Sequence, residues 1–182
     1  ANERPLKRVG AENGLDAIEF DGKNDFFELS NYITLPTDYT FYMVHRDTNS
    51  GDVVGLGGIR DPRPIYTLIK QSSSIFQNHG ITSFSNFANS GIGLNLYASN
   101  KQDITLSEIF VNSKTALGGQ ALSEDGSALF RFIGLFDNQG TGVGKIFTND
   151  NMCEQLFYDR KVTTQEHSDI MDYLANKWGI TL

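Results

Sequence analysis

The stretch LFYDRKVTTQEHSDIMDYLANKWG, residues 156–179, decides the fold of this chain. It predicts a strand that runs directly into a capped amphipathic helix. Thr163 and Glu166 stand three residues apart, so the threonine hydroxyl can accept from the backbone N–H of Glu166 while the carboxylate reaches back to Thr163. Gly179 follows the last apolar residue, where a left-handed residue ends a helix. We therefore predict a helix between these two signals.

The predicted helix has one apolar stripe. Ile170, Leu174 and Trp178 recur at i, i+4 and i+8, with Met171 beside them. Trp178 could serve as a platform on which a sugar ring stacks. On such a stripe an aromatic residue is more often a core anchor, and we adopt that interpretation. The stripe predicts that the helix packs on one edge of the domain.

Short strand-like runs separated by turn residues occupy almost all of the chain before the helix. Residues 39–44, 92–97 and 104–111 alternate most regularly between the two faces of a strand. Many short strands with turns between them are typical of an antiparallel sandwich or jelly roll. We therefore predict one all-β domain over residues 1–182, an antiparallel jelly-roll β-sandwich with one short C-terminal helix.

The balance of charge excludes several classes of partner. The 182 residues include 15 Lys and Arg against 22 Asp and Glu, a net charge of −7. The basic residues are scattered, so the chain lacks the basic footprint that nucleic acid requires. No apolar run approaches the ~20 residues that span a bilayer, so membrane insertion is not expected. An acidic surface suits a protein displayed outside a cell or on a particle.

Metal and cofactor chemistry finds little support. Cys153 is the only cysteine, which excludes an internal disulfide and a thiolate metal cluster, and we interpret it as a buried, inert thiol. Residues 47–52, and the group Asp21, Asn24 and Asp25, are rich in oxygen atoms that could hold calcium. Asx side chains that bond their own backbone explain both clusters without metal. No cofactor is therefore predicted, and calcium is left open but unsupported.

Four segments, in the right order along the chain, match the motifs of one family. Residues 16–29 (DAIEFDGKNDFFEL) resemble an FDGxxDY opening, and residues 110–113 (FVNS) resemble a "vNG" hairpin with Ser113 in place of glycine. Residues 132–134 (FIG) resemble an "riG" strand, and the ending is similar to "lfYDR…YLanKWG". The chain thus resembles the laminin-G-like, concanavalin A-like jelly-roll domains of bacterial and tailed-phage surface proteins. Because only residues 1–15 precede the first motif, we expect a shortened first strand or a chain that is part of a longer one.

The resemblance implies a fold and two classes of function. Members of this family include glycan binders, adhesion modules, appendages of bacterial enzymes and phage virion proteins. The leading hypothesis is a non-catalytic module of a phage virion or bacterial surface assembly, serving attachment, decoration or appendage assembly. The alternative is a lectin-like carbohydrate-binding domain, which could be appended to a polysaccharide-active enzyme. Both predict an extracellular, cell-surface or virion location, protein or glycan partners and a plausible oligomer.

Catalysis is not predicted. The family includes glycosidases that place carboxylates on one strand as E-x-D-x-x-E, and Glu19 and Asp21 offer the first two positions. Asn24 stands at the third, so the set is incomplete. His45, His79 and His167 are far apart in sequence and show no metal-ligand spacing. A glycoside hydrolase or lyase is therefore only a remote third option.

Aromatic and amide side chains gather in two stretches that would suit a sugar. In sugar sites a ring stacks on the C–H face of the ligand while amides fix its hydroxyls. The first stretch lies between Ser83 and Gly91, and the second lies beside the proline-containing loop at residues 60–64. The alternative is that the phenylalanines pack inward, which we expect of at least one of the two. The speculative ligand-binding residues are Phe84, Asn86, Phe87, Asn89, Tyr66 and Arg63.

Overall fold

The computed structural model of the chain describes residues 4–47, 53–54, 56–60, 63–71, 74–78, 85–88, 92–102, 106–120, 128–136 and 146–182. Within these ranges the fold is an antiparallel jelly-roll β-sandwich with one short C-terminal helix, so the predicted fold class is confirmed. In chain order the elements are β1 (Leu6–Glu12), β2 (Leu15–Asp21), β3 (Phe27–Leu35), β4 (Tyr39–Asp47), β5 (Val53–Val54), β6 (Leu56–Arg60), β7 (Arg63–Gln71), β8 (Ser74–Asn78), β9 (Ser85–Ala88), β10 (Gly93–Gln102), β11 (Leu106–Val111), β12 (Gly118–Gln120), β13 (Ala128–Ile133), β14 (Leu135–Phe136), β15 (Ile146–Phe147), β16 (Asn149–Tyr158) and α1 (Thr164–Trp178).

The described strands form two large sheets. Sheet A has the spatial order β1-β2-β16-β4-β10-β11-β12, and sheet B has the order β3-β13-β6-β7-β8-β9, with β5 also paired to β7. A short ribbon joins β14 to β15. Sequence neighbours are often separated in space: β2 pairs with β16, and β3 pairs with β13. Such crossovers between the two sheets are what distinguishes a jelly roll from a simple meander.

The space between the two sheets holds the first apolar core. The alternating residues Phe41 and Met43 of β4 point into it, and Phe130 contributes from sheet B. Because side chains alternate across a strand, Tyr42 and Val44 must point to the other side of sheet A. They contribute to a second apolar core there, which is formed against α1. Every residue of β4 except Arg46 is consequently buried.

The helix covers the outer face of sheet A. Met171, Leu174, Ala175 and Trp178 pack on residues of β4, β10 and β11. Since β4 and β10 lie in the middle of the sheet, the prediction of packing on one edge is wrong: the helix lies over the centre of the face. The predicted core role of Trp178 is confirmed, because its side chain is 3% exposed and its indole N–H donates to Glu154 Oε2 at 2.7 Å.

Both predicted helix ends are confirmed. Thr163 accepts from the backbone N–H of Glu166 at 3.2 Å, and the Glu166 carboxylate accepts from the N–H of Thr163 at 2.8 Å. Gly179 ends the helix at φ 70° and ψ 35°. A third stabilising contact comes from the opposite end of the chain, since the Asn13 side chain donates to the carbonyl of Lys177 at 3.0 Å. Asn13 and Gly14, both with positive φ, form the turn between β1 and β2.

The glycine of the FIG segment is required by packing. Gly134 has φ +82°, and a Cβ atom there would lie 2.5 Å from the ring of Phe20. Phe20 is 1% exposed and belongs to the first apolar core, between the two sheets, so its ring has little space in which to move. A side chain at residue 134 would therefore meet both backbone strain and a clash. This contact ties the end of β13 to β2 across the sandwich.

Candidate functional site

The predicted sugar-binding residues fall on sheet B where the structure describes them. Arg63 and Tyr66 lie on β7, and Asn86 and Phe87 lie on β9. Strand β8 lies between β7 and β9 and pairs with both. In the β8–β9 ladder Phe76 pairs with Asn86 and Ile75 pairs with Phe87. In the β7–β8 ladder Tyr66 pairs with Asn78. Strands two apart in a sheet are ~10 Å from each other, a span that one or two sugar rings can bridge. Phe84 and Asn89 lie outside the described residues.

The two acidic residues considered for hydrolysis are both engaged in other contacts. Glu19 pairs with Arg8 of the neighbouring strand β1. One carboxylate oxygen of Asp21 accepts from the backbone N–H groups of Lys23, Asn24 and Asp25 at 2.8, 3.0 and 3.3 Å. Asp25 in turn accepts from the N–H of Asp21 at 3.1 Å. These contacts have the geometry of Asx turns, as the metal-free interpretation of this cluster predicts. Residues 48–52 of the other oxygen-rich stretch lie outside the described ranges.

Cys153 is a free, half-buried thiol. Burial raises its pKa to about 12, and the nearby Glu12 carboxylate adds to the shift. A thiol that stays protonated is a poor nucleophile and a poor metal ligand. The predicted inert role of Cys153 is therefore supported by its surroundings.

A cleft of about 270 Å³ opens between the N-terminal end of α1 and strands β10 and β11. Phe110, Ala116 and Val162 give it an apolar wall, while the other lining groups are polar or charged. The helix contributes Thr164 and His167, the segment before it contributes Lys161, and the strands contribute Asn100 and Glu108. Residues from three separate parts of the chain thus meet at this end of the helix.

His167 lies against the wall of this cleft and is 5% exposed. Its Nδ1 is 3.0 Å from the hydroxyl of Tyr42, and its ring lies 4.2 Å from the ring of Phe110, centroid to centroid. Burial lowers the pKa of His167 below its ordinary value. The imidazole is therefore neutral at neutral pH and carries a single N–H proton.

The hydrogen-bond network determines where that proton resides. The buried hydroxyl of Tyr42 has one proton to donate, and the hydrogen-bond partner it has in the structure is His167 Nδ1. We assign the tyrosine as the donor of this bond, because Nδ1 is the acceptor that the structure gives its hydroxyl proton, and the imidazole proton then resides on Nε2. His167 Nε2 and Asn100 Oδ1 are buried atoms with no hydrogen-bond partner. The first is a donor and the second is an acceptor.

Charges around the cleft are paired. Lys114 contacts Asp172 at 2.6 Å, and Lys161 contacts Glu108 at 3.5 Å. Just outside the lining, Arg160 makes two hydrogen bonds to Glu166, at 2.8 and 2.7 Å. This guanidinium, together with the N–H of Thr163, lowers the pKa of Glu166 to about 2. The cations of the cleft are thus compensated by carboxylates.

Neither this cleft nor a role for Asn100 was predicted from the sequence, in which His167 stands as an isolated histidine. A signal for His167 was available, because it stands three residues before Ile170 and so continues the apolar stripe of α1 toward the N-terminus. A histidine on a buried stripe needs a partner for each ring nitrogen. No comparable local signal exists for Asn100, whose burial depends on a helix more than sixty residues away.

No protein-family model matches the chain, and no curated protein matches it in sequence. The resemblance to laminin-G-like domains therefore stays a prediction. Among the described ranges, no group of three or more His, Cys, Asp or Glu is placed to hold a metal ion, and no helix is long and apolar enough to span a membrane.

Solved structures of similar fold include sugar-binding domains. Domain 4 of AbnA, an extracellular GH43 arabinanase from Geobacillus stearothermophilus, was solved with arabinotriose and has a TM-score of 0.67 at 12% identity over 92% of this chain and 81% of its own. The CBM40 domain of the Ruminococcus gnavus IT-sialidase, bound to α2,3-sialyllactose, has a TM-score of 0.63 at 12% identity over 91% and 98%. At such identities the likeness shows the fold, a jelly-roll β-sandwich, and nothing further.

A larger enzyme contains the same fold as one part. Trypanosoma rangeli sialidase in complex with sialic acid has a TM-score of 0.57 at 11% identity over 89% of this chain. The chain spans about 30% of the length of that sialidase. The match therefore concerns one portion of the enzyme.

Proposed function

We propose that this chain is a non-catalytic carbohydrate-binding module that holds a glycan on sheet B. One observation carries the proposal: the central strands of sheet A are covered on both faces, on one by the core between the sheets and on the other by α1. We therefore assign an extended ligand that lies flat on a sheet to sheet B. The predicted aromatic and amide residues of β7 and β9 belong to that sheet.

Two further observations support carbohydrate as the ligand. The stretch around β9 combines aromatic with amide side chains, the mixture that recognises the C–H face and the hydroxyls of a sugar. Two solved domains of similar fold, from an arabinanase and a sialidase, were captured with oligosaccharides. The hypothesis of a purely structural module in a virion or surface assembly has no comparable support, so the lectin-like alternative now leads. The proposal includes a single domain and an extracellular location.

A glycan array with the whole chain tests the proposal. We expect binding to a restricted set of oligosaccharides, and Tyr66→Ala or Phe87→Ala should weaken it about 2- to 12-fold, the range for losing one aromatic stacking contact. Tyr173→Ala is the matched control, because Tyr173 is an exposed aromatic residue on α1, on the other side of sheet A. An array without hits, or equal loss in the control, would remove the proposal.

A further inference from the structure

We propose that the cleft at the N-terminal end of α1 is a second binding site, for a neutral hydroxylated ligand the size of one sugar ring. The cleft lies on the helix side of sheet A, and the proposed glycan surface belongs to sheet B. The inference does not depend on that surface. It rests on the side chains that line the cleft.

The first argument comes from two hydrogen-bonding atoms without partners. Asn100 and His167 are each 5% exposed, both line the cleft, and Asn100 Oδ1 and His167 Nε2 have no partner in the structure. Buried polar atoms are paired in the great majority of cases, since leaving one unpaired is costly. Both atoms belong to residues that line one cleft, and both have almost no accessible surface in the free protein. A ligand in the cleft would supply their hydrogen bonds after a small rotation of the two side chains.

The kind of partner follows from the chemistry of the two atoms. With the imidazole proton assigned to Nε2, His167 donates there, whereas Asn100 Oδ1 accepts. A carboxylate can accept but cannot donate, and an ammonium group can donate but cannot accept. A hydroxyl group does both. A ligand with two or more hydroxyls satisfies the two atoms together.

Charge and shape favour a neutral ring over an ion. The lysines of the cleft already contact carboxylates, Lys114 with Asp172 and Lys161 with Glu108, so the lining has no uncompensated cation to attract a free anion. Phe110 offers an apolar surface for the C–H groups of a sugar. The volume of about 270 Å³ is slightly below the range of drug-sized pockets, which suits a single ring.

NMR titration of the whole chain with D-glucose, D-galactose and L-arabinose tests the proposal. We expect at least one of these sugars to shift the Nε2 resonance of His167 and the side-chain amide of Asn100, with a dissociation constant on the order of 1 mM for so small a ligand. Inorganic phosphate and D-glucuronate serve as charged comparisons. A titration in which no neutral sugar shifts these signals, or only the charged compounds do, overturns the proposal.

Two variants locate the binding. Thr164→Trp places a bulky ring at an exposed position of the lining and should abolish the shifts, whereas Gln165→Trp, at the next exposed position outside the lining, should leave them intact. Asn100→Leu should weaken binding about tenfold, the loss of one hydrogen bond, against Asn176→Leu on the exposed face of α1 as control. Sugar shifts that survive Thr164→Trp place the ligand elsewhere and contradict the proposal. Phe87→Ala should not change them, which separates this site from the glycan surface of sheet B.

Discussion

At the residue scale, His167 connects the stability of the helix side of the molecule to pH. Its imidazole packs against Tyr42 and Phe110 and is buried in the neutral form. The charged groups that affect it most are Glu108, which favours the protonated form, and Lys114, which opposes it. Burial dominates, so the pKa of His167 in the folded chain lies below that in the unfolded chain.

A pH series of urea unfolding should reveal this linkage. As pH falls through about 6.5 the unfolded chain binds a proton at residue 167 that the folded chain does not, so the free energy of unfolding should fall with it. The effect should be absent at about pH 8, where both states are neutral, and should level off below the folded pKa. His167→Gln should flatten this part of the profile. Parallel profiles for the two proteins would show that His167 does not cause the dependence.

Trp178 is the residue on which the packing of the helix depends most. Its ring lies in the second apolar core, between sheet A and α1. Its N–H donates to Glu154 Oε2, and the ammonium nitrogen of Lys177 lies 2.9 Å from the same oxygen. Trp178→Ala should reduce the free energy of unfolding by about 3–5 kcal/mol, the cost of a large buried cavity. Ile180→Ala, at a half-buried residue beside the same core, should cost clearly less. Chemical denaturation of both variants measures the difference, and equal losses would contradict the anchor role.

At the element scale, the helix begins where its cap dictates. Thr163→Ala removes the hydroxyl that accepts from Glu166 and should lower the free energy of unfolding by about 1 kcal/mol. Thr164→Ala, one residue further along and exposed, is the control and should change little. Because the pKa of Glu166 is about 2, its contribution is present above its ordinary pKa of 4.5 and is lost as pH falls through the folded value. Equal effects of the two alanine variants would argue against the capping box.

Strand β1 is fixed to sheet A by a buried ion pair. Glu12 is 1% exposed and binds Arg46 of β4 with both carboxylate oxygens, and Asn151 donates to it at 2.8 Å. Burial by itself would raise the pKa of Glu12, but these hydrogen bonds outweigh it, and the pKa lies below its ordinary value. The pair therefore stabilises the fold above about pH 4.5, and this contribution declines as pH falls further.

Arg46→Met tests the ion pair. The substitution leaves Glu12 buried without its counter-charge and should lower the free energy of unfolding by about 2–3 kcal/mol at neutral pH. This loss is smaller than that for a fully buried ion pair, because the Arg46 side chain is 40% exposed. The loss should diminish in acid, where Glu12 becomes protonated. Arg8→Met, which removes the partner of the more exposed Glu19, is the control and should have a small effect. A loss independent of pH would contradict an electrostatic origin.

The helix and its caps could be predicted from sequence because their signals are local: Thr163, Glu166 and Gly179 each act within a few residues. Strand β1 could not be delimited from the sequence, which supported only the expectation of a shortened first strand, since Lys7, Arg8 and most of its neighbours are exposed and show no alternation. The position of α1 over the centre of sheet A depends on the pairing of β4 with β10, which are distant in sequence. For the same reason the meeting of Asn100 and His167 could not be predicted.

At the scale of the whole molecule, the chain forms three layers: sheet B, sheet A and α1. The helix completes the burial of sheet A, because Tyr42, Val44, Leu96 and Phe110 face it. Without the helix these side chains would form a contiguous apolar patch of the kind that promotes aggregation. The helix is therefore a structural requirement of the sandwich rather than an appendage.

Removal of residues 163–182 tests this requirement. We expect the shortened chain to bind a hydrophobic dye, to self-associate in size-exclusion chromatography and to lose cooperative unfolding. The control is a full-length chain with Tyr173→Ala and Asn176→Ala, which alters exposed positions of α1 but keeps its apolar stripe. A shortened chain that stays monomeric and unfolds cooperatively would show that the sandwich is stable without α1.

The pairing of β2 with β16, and the bond from Asn13 to the carbonyl of Lys177, join segments that lie more than 120 residues apart in the sequence. During translation the first hairpin emerges from the ribosome long before the strand and helix that hold it have been made. Sheet A can thus be completed only after synthesis of the domain is nearly finished. We expect nascent chains stalled before residue 149 to be protease-sensitive and to recruit chaperones, and the fold to form in one late, cooperative step.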